Sequence, residues 1–271
     1  MYINKHIVKI MIVMVALLAL PKLYAQQDPQ YTHYMYNTMS INPAYAGQRD
    51  VLSFTGLYRT QWVGIDGAPE SGSLGVHSPL KNDRLGLGLN VVNDALGPST
   101  ETFVDANFSY SLPMNANGLE LSLGVKGGFH HLKTDWSKGQ FRILTDPTFN
   151  ENINVFSPVI GAGAYLHSNK WYLGMSIPNF ITTEHYDDVE ESIATERINF
   201  YFIGGYVFNI NNALKLKPSF FVKAVSGAPI IADLSANFLY RNKLNLGLAY
   251  RWDDSISVLL GFQITDGMYL G

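Results

Sequence analysis

Beyond its first fifty positions, most of this chain alternates apolar and polar residues with a period of two. In 118–131 (GLELSLGVKGGFHH), Leu119, Leu121, Leu123, Val125, Gly127 and Phe129 fall on one side of an extended chain. Glu120, Ser122, Gly124, Lys126, Gly128 and His130 fall on the other, because successive strand side chains point to opposite faces. The pattern recurs in 51–63, 71–79, 84–93, 100–112, 154–167, 170–178, 197–208, 213–225, 230–241, 243–252 and 255–264. In 100–112, for example, Val104, Ala106, Phe108 and Tyr110 oppose Asp105, Asn107, Ser109 and Ser111. No stretch of comparable length carries a helical period, so these segments and 118–131 are expected to be strands, with another starting near Met268.

The connections divide by parity. Tight turns follow the even strands at 81–83, 115–118, 168–169, 209–212, 242 and 266–267, whereas 64–70, 94–99, 134–153, 179–196 and 227–229 are longer or looser. Asp253-Asp254 is the exception, short where a loop is expected. Short turns on one rim and longer loops on the other are the habit of transmembrane barrels. The expected fold is therefore an all-β, transmembrane, antiparallel up-and-down β-barrel. An even strand number and two termini on the periplasmic side call for a fourteenth strand, so the last one or two strands are expected to be missing or incomplete in this sequence.

Alternation alone does not say which face is inside, since a soluble sandwich buries its apolar face. Strand length decides for the membrane: about ten residues tilted by about 45° cover roughly 24 Å, the height of the apolar band of a membrane barrel. Charged residues make up 15 %, below the roughly 25 % of soluble domains, and aromatics reach 13 %. Trp62, Trp136, Trp171, Tyr240, Tyr250 and Trp252 lie near strand ends, where interfacial girdles form.

The N-terminus adds a compartment. Lys5 and Lys9 precede an apolar run from Ile10 to Leu20, too short to span a bilayer, and Ala25 offers a small residue for cleavage, the pattern of a secretory signal peptide. Removing 1–25 leaves 16 basic against 22 acidic side chains, which argues against nucleic acid as a partner. The chain has no cysteine, so disulfides contribute nothing. The organisation expected is a signal peptide (1–25), an N-terminal periplasmic or plug-like segment (26–50), rich in Tyr and Asn and without a clean period, and an outer-membrane barrel (51–271).

No catalytic, metal or cofactor site is expected. His130 and His131 lie near Asp135-Trp136-Ser137, but the two rings point to opposite faces and no serine sits in a nucleophile-type turn. The acidic loop 184–191 lacks the glycine turn and ligand spacing of an EF-hand, and a solvated loop is favoured over a calcium site. Lys126, Lys215, Lys217, Lys223, Asp233, Arg241 and Arg251 alternate with apolar neighbours and are expected to face the lumen, since a lipid-facing Lys or Arg at the midplane costs about 2–4 kcal/mol. They form either a mutual ion-pair network or a mixed-charge socket for a partner.

The run QDPQYTHYMYNTMSINPAYAG, followed by a first strand ending in YRTQWVGIDGAPES, resembles the opening of the PorP/SprF family of Bacteroidetes outer-membrane proteins. Gln30, Tyr31, Tyr34, Asn37, Asn42, Pro43, Ala44, Gly47, Gln61 and Trp62 carry the resemblance, which extends through the strand-rich body and is greatest to the SprF kind. It implies an integral outer-membrane barrel, in contact with outer-membrane lipid, that serves type IX secretion and gliding motility. Such a barrel would bind, anchor or help secrete a large surface adhesin with a type B C-terminal domain. A scaffold for the periplasmic secretion or gliding components, and a passive pore, are the alternatives. Family members typically continue to a final membrane strand beyond the point where this sequence stops.

Overall fold

The computed structural model describes residues 34–116, 118–138, 152–181, 198–225 and 228–271. The expected signal peptide (1–25), Gln30 and Tyr31 of the N-terminal motif, and the acidic loop 184–191 lie outside the described residues. A one-turn helix α1 (Thr38–Ile41) and a 3-10 turn (Pro43–Tyr45) precede fourteen strands. These are β1 (Ser53–Thr60), β2 (Glu70–Pro79), β3 (Leu85–Leu96), β4 (Ser99–Pro113), β5 (Glu120–Thr134), β6 (Ile153–His167) and β7 (Trp171–Ile177). They continue as β8 (Asn199–Tyr206), β9 (Phe208–Asn211), β10 (Leu214–Val225), β11 (Ile231–Tyr240), β12 (Leu244–Arg251), β13 (Ser255–Thr265) and β14 (Met268–Leu270).

All lie in one antiparallel sheet in which sequence neighbours are spatial neighbours, an up-and-down meander. Two details depart from the sequence reading. The strand expected at 197–208 ends at Tyr206, and most of the tight turn expected at 209–212 is instead a short strand, β9; β8 and β9 both pair with β10. The loop expected at 94–99 shrinks to Gly97-Pro98, because β3 and β4 stay paired as far as Leu96 and Ser99. Asp94 looks like a turn former, but it accepts a hydrogen bond from the Ser71 hydroxyl of β2, which satisfies its carboxylate within the strand.

The sheet is inverted relative to a water-soluble core. On β5, Ser122, Lys126 and His130 are buried, while Leu123 is 48 % and Val125 56 % exposed. The same holds on β12 and β13, where Asn245 is buried and Leu248, Ile256 and Val258 are open, the last at 77 %. A continuous apolar outer face against a polar inner one is what a lipid surround stabilises. Among the described residues no helix is long and apolar enough to cross a membrane; any crossing is made by strands.

Residues 34–48 lie against the polar face and hold both halves of the sheet. The Asn37 side chain donates to Ser73 Oγ of β2 (3.2 Å), and Ser109 Oγ of β4 donates to the Ala46 carbonyl (2.6 Å). Ser176 Oγ of β7 donates to the Ile41 carbonyl (2.6 Å), Tyr34 Oη meets Ser235 Oγ of β11 (3.4 Å), and Tyr36 stacks on Tyr269 of β14 at 5.3 Å. A segment this short reaches strands so far apart in the order only if the sheet curls around it. Most of its wall partners lie toward the strand ends joined by the short turns: His77, Ser109, Ser111, Ala164, Asn245 and Tyr269.

Candidate functional site

The interior is built from two things, the inner segment and the charged wall that surrounds and extends beyond it. The segment is seated by wall glycines. At Gly124 of β5 a Cβ would stand 2.2 Å from the Ala44 amide nitrogen, and at Gly86 of β3 it would stand 2.2 Å from the Ala46 carbonyl oxygen. Any side chain at either position collides with main chain, so the glycines set how closely 34–48 approaches the wall.

Asn42 fixes the turn that follows. Its Oδ1 accepts from the Ala44 amide (3.0 Å) and its Nδ2 donates to the Ala164 carbonyl of β6 (3.0 Å). One side chain thereby caps Pro43–Tyr45 and pins it to the wall. Substitution Asn42→Ala is expected to lower stability by about 1–3 kcal/mol, read as a shifted urea midpoint in lipid vesicles. Gly47 sits at φ +76° and lets its amide donate to His77 Nδ1 (3.1 Å). Around Tyr34, Met35 and Ala44 close Tyr165, Tyr201, Ile203 and Phe221, an apolar seam inside an otherwise polar lumen. Burial pushes the Tyr34 and Tyr36 hydroxyls above the usual tyrosine range, so both act as neutral hydrogen-bonding groups.

The charged wall falls into two clusters. On β3–β5, Asp105 (4 % exposed) receives Lys126 Nζ at 3.4 Å, the Asn107 amide at 2.7 Å and the Asn90 amide at 3.5 Å. Lys126 also donates to the Ser40 carbonyl of the inner segment (3.4 Å). On β10–β12, Arg251 forms a two-pronged pair with Asp233, at 2.7 and 3.0 Å, and reaches Asp254 at 3.3 Å. Lys223, 2 % exposed, stands over the Tyr201 ring at 5.8 Å, diagonally across from Asp233 in the strand pairing. This second cluster lies at the ends of β10–β12 joined by the 226–230 and 252–254 connections, beyond the inner segment.

The remaining candidates separate. Lys217 lies over the Tyr172 ring at 5.1 Å near the short-turn end of β10, with half-buried Lys215 beside it. Arg241 does not line the lumen: it occupies the exposed turn after β11 at φ +50° and packs on Tyr240 at 5.3 Å. Gln61 and Trp62 are on the β1–β2 loop, far from 34–48 along β1, where Trp62 at φ +48° is 64 % exposed and borders a cleft of about 450 Å³ with Gly67 and Gly97. His130 stacks on Phe103 at 4.2 Å on the inner face and approaches Glu101 (3.4 Å), whereas His131 stacks on Phe156 at 4.0 Å on the other. The Ser137 hydroxyl is engaged by Asp135 (2.6 Å). Among the described residues no three His, Asp or Glu side chains gather as metal ligands.

Sequence reasoning overlooked Asp105 as a site residue, although it sits on the wet side of VDANFSYSL, where a buried acid requires a counter-ion. Matching it to Lys126 takes the β4–β5 register, in which Asp105 faces Gly128 and Lys126 faces Asn107.

An up-and-down antiparallel sheet with an apolar exterior, a polar interior and a chain segment lodged inside defines a protein of the membrane-barrel class. Residues 23–271 match the family model described as type IX secretion system membrane protein PorP/SprF, and the chain belongs to that family. Among solved structures it is similar to the crystal structure of the beta domain of the Bordetella autotransporter BrkA. The identity is 11 % and the TM-score 0.32, over 76 % of this chain and 93 % of that one. No curated protein matches it.

Proposed function

We propose that this protein is an outer-membrane barrel whose surface-facing vestibule binds and anchors a type IX client, a large adhesin with a type B C-terminal domain, or assists its secretion. The observation that supports this most is the division of the interior. Residues 34–48 occupy the short-turn half and bond to strands across the sheet. Beyond them lie Lys223, Asp233 and Arg251, a mixed-charge patch whose buried Lys223 and Asp233 back the more open Arg251, the member a folded partner would meet. A segment tied across the lumen argues against a passive pore. The short turns would face the periplasm, and Leu123, Val125, Leu248 and Val258 would face lipid.

A second reading, a scaffold for periplasmic secretion components, rests on the exposed Arg49 and Asp50 at the end of the inner segment. Pull-down of the tagged full-length protein from native membranes, followed by mass spectrometry, separates the readings. The anchor predicts recovery of a large surface-protein fragment with crosslinks on the long-loop rim. Crosslinks confined to the short turns and 26–47 would favour the scaffold. An empty barrel with steady conductance in planar bilayers would overturn both.

A further inference from the structure

A cavity of about 160 Å³ opens at the short-turn rim, away from the vestibule, where the β6–β7 turn meets the inner segment. It is well above the roughly 10–15 Å³ that one water requires. Its walls are the rings of Tyr45, Tyr165 and Tyr172, with the Gln48 amide and the Lys217 ammonium. Lys217 lies over Tyr172 but makes no ion pair or hydrogen bond among the described residues. The Tyr172 hydroxyl is buried beside that of Ser219. Arg49, bonded to Tyr45 Oη at 3.3 Å, and Lys170 add positive charge at the mouth. The acids nearby, Glu120 and Asp50, lie on the side of His167, with Glu120 3.9 Å from its ring.

We infer that this cavity is a carboxylate site that takes one acidic side chain of a polypeptide arriving at the short-turn rim. A half-buried ammonium with no anion, among neutral hydroxyl and amide donors, matches a single negative charge. Aromatic walls match the methylene stem that carries it. One ammonium, with no guanidinium lining the cavity, balances the single charge of a carboxylate better than the higher charge of a phosphate. Lipid headgroups approach the outer face, whereas Lys217 and Tyr172 stand on the inner one, continuous with Ser219 and Ser176.

The test uses the full-length protein in neutral detergent micelles, with Trp171 at the cavity edge as the fluorescent reporter. The probe is N-acetylglutamate N-methylamide, compared with its glutamine counterpart, inorganic phosphate and a short-chain phosphatidylglycerol. A saturable response to the glutamate probe is expected, about tenfold weaker for glutamine and for Lys217→Met, retained in Lys217→Arg, unchanged in Lys215→Met and absent in Trp171→Phe. Heat-dependent gel migration verifies folding of each variant. Should Lys217→Met fail to fold, Tyr172→Phe and the glutamate–glutamine comparison on the native protein carry the decision. Equal binding of glutamine, tighter binding of phosphate or of the lipid, or an unaltered Lys217→Met would overturn the site. The readout needs no client, so it fails or succeeds separately from the anchor reading.

Discussion

Gly124→Leu is expected to dislodge the inner segment and convert the barrel into a conducting pore. The glycine leaves no space for a side chain: its Cβ position lies 2.2 Å from the Ala44 amide and 2.5 Å from the Pro43 carbonyl carbon, so main chain rather than a flexible side chain would have to yield. Overpacking of a tight contact costs about 1–3 kcal/mol and sometimes more. Here the outcome is decided by what is easier to displace. β5 is bonded along its whole length to β4 and β6, whereas 34–48 is held by dispersed side-chain bonds, so the segment moves and the wall stays. Expected results are a large rise in single-channel conductance in planar bilayers and a fall in the thermal midpoint, with the strand content by circular dichroism preserved. Gly127→Leu is the matched control on the same strand. It points outward with nothing within 4 Å of its Cβ and should leave both measurements near those of the native protein. A silent Gly124→Leu would show that the segment does not obstruct the lumen.

The contrast between Gly124 and Gly127 also shows what the sequence could and could not convey. Alternation located every long strand and the correct face of 118–131, though not the short β9, because period two is a local property of the chain and inverted burial follows from length and charge. It also placed Gly86, Gly88 and Gly124 on the polar face, but not the reason for glycine there. That reason is a segment remote in sequence, Ala46 for Gly86, Met39 for Gly88 and Ala44 for Gly124, as with the Lys126–Ser40 bond, whose partners lie 86 positions apart. Tyr34 and Ser235 are 201 positions apart. The Tyr- and Asn-rich stretch has no period of its own because its side chains answer to several strands in turn rather than to one face. The misread 94–99 loop has the same origin: Asn93, Asp94, Gly97 and Pro98 look like a turn until Ser71 of a neighbouring strand engages the carboxylate. Arg241 was misplaced for a more local reason, since alternation runs smoothly into a turn whose left-handed residues, Arg241 and Asn242, leave the sheet.

Asp105→Ala should be among the most destabilising single substitutions in the wall, and much more so than Lys126→Met. The two groups form one buried pair at 3.4 Å, with side chains 4 % and 6 % exposed, but their other partners differ. Removing the carboxylate leaves an ammonium in the lumen wall with only the Ser40 carbonyl to receive it, and it deprives the Asn90 and Asn107 amides of their acceptor. Breaking a buried pair in this way costs about 3–5 kcal/mol. Removing the ammonium leaves a carboxylate that still accepts from two amides and costs less, about 1–3 kcal/mol. The double variant Asp105→Ala/Lys126→Met has no buried charge left and should cost less than the sum of the two singles, so the singles will not add. Urea unfolding in lipid vesicles measures all three, and strict additivity would show that the two side chains act independently. Because Lys126 also holds Ser40, its loss should raise conductance modestly where Gly124→Leu raises it strongly. The ion pair then has two separable effects: it stabilises the β3–β5 wall through Asp105, and it retains the inner segment through the one hydrogen bond that Lys126 makes beyond the pair.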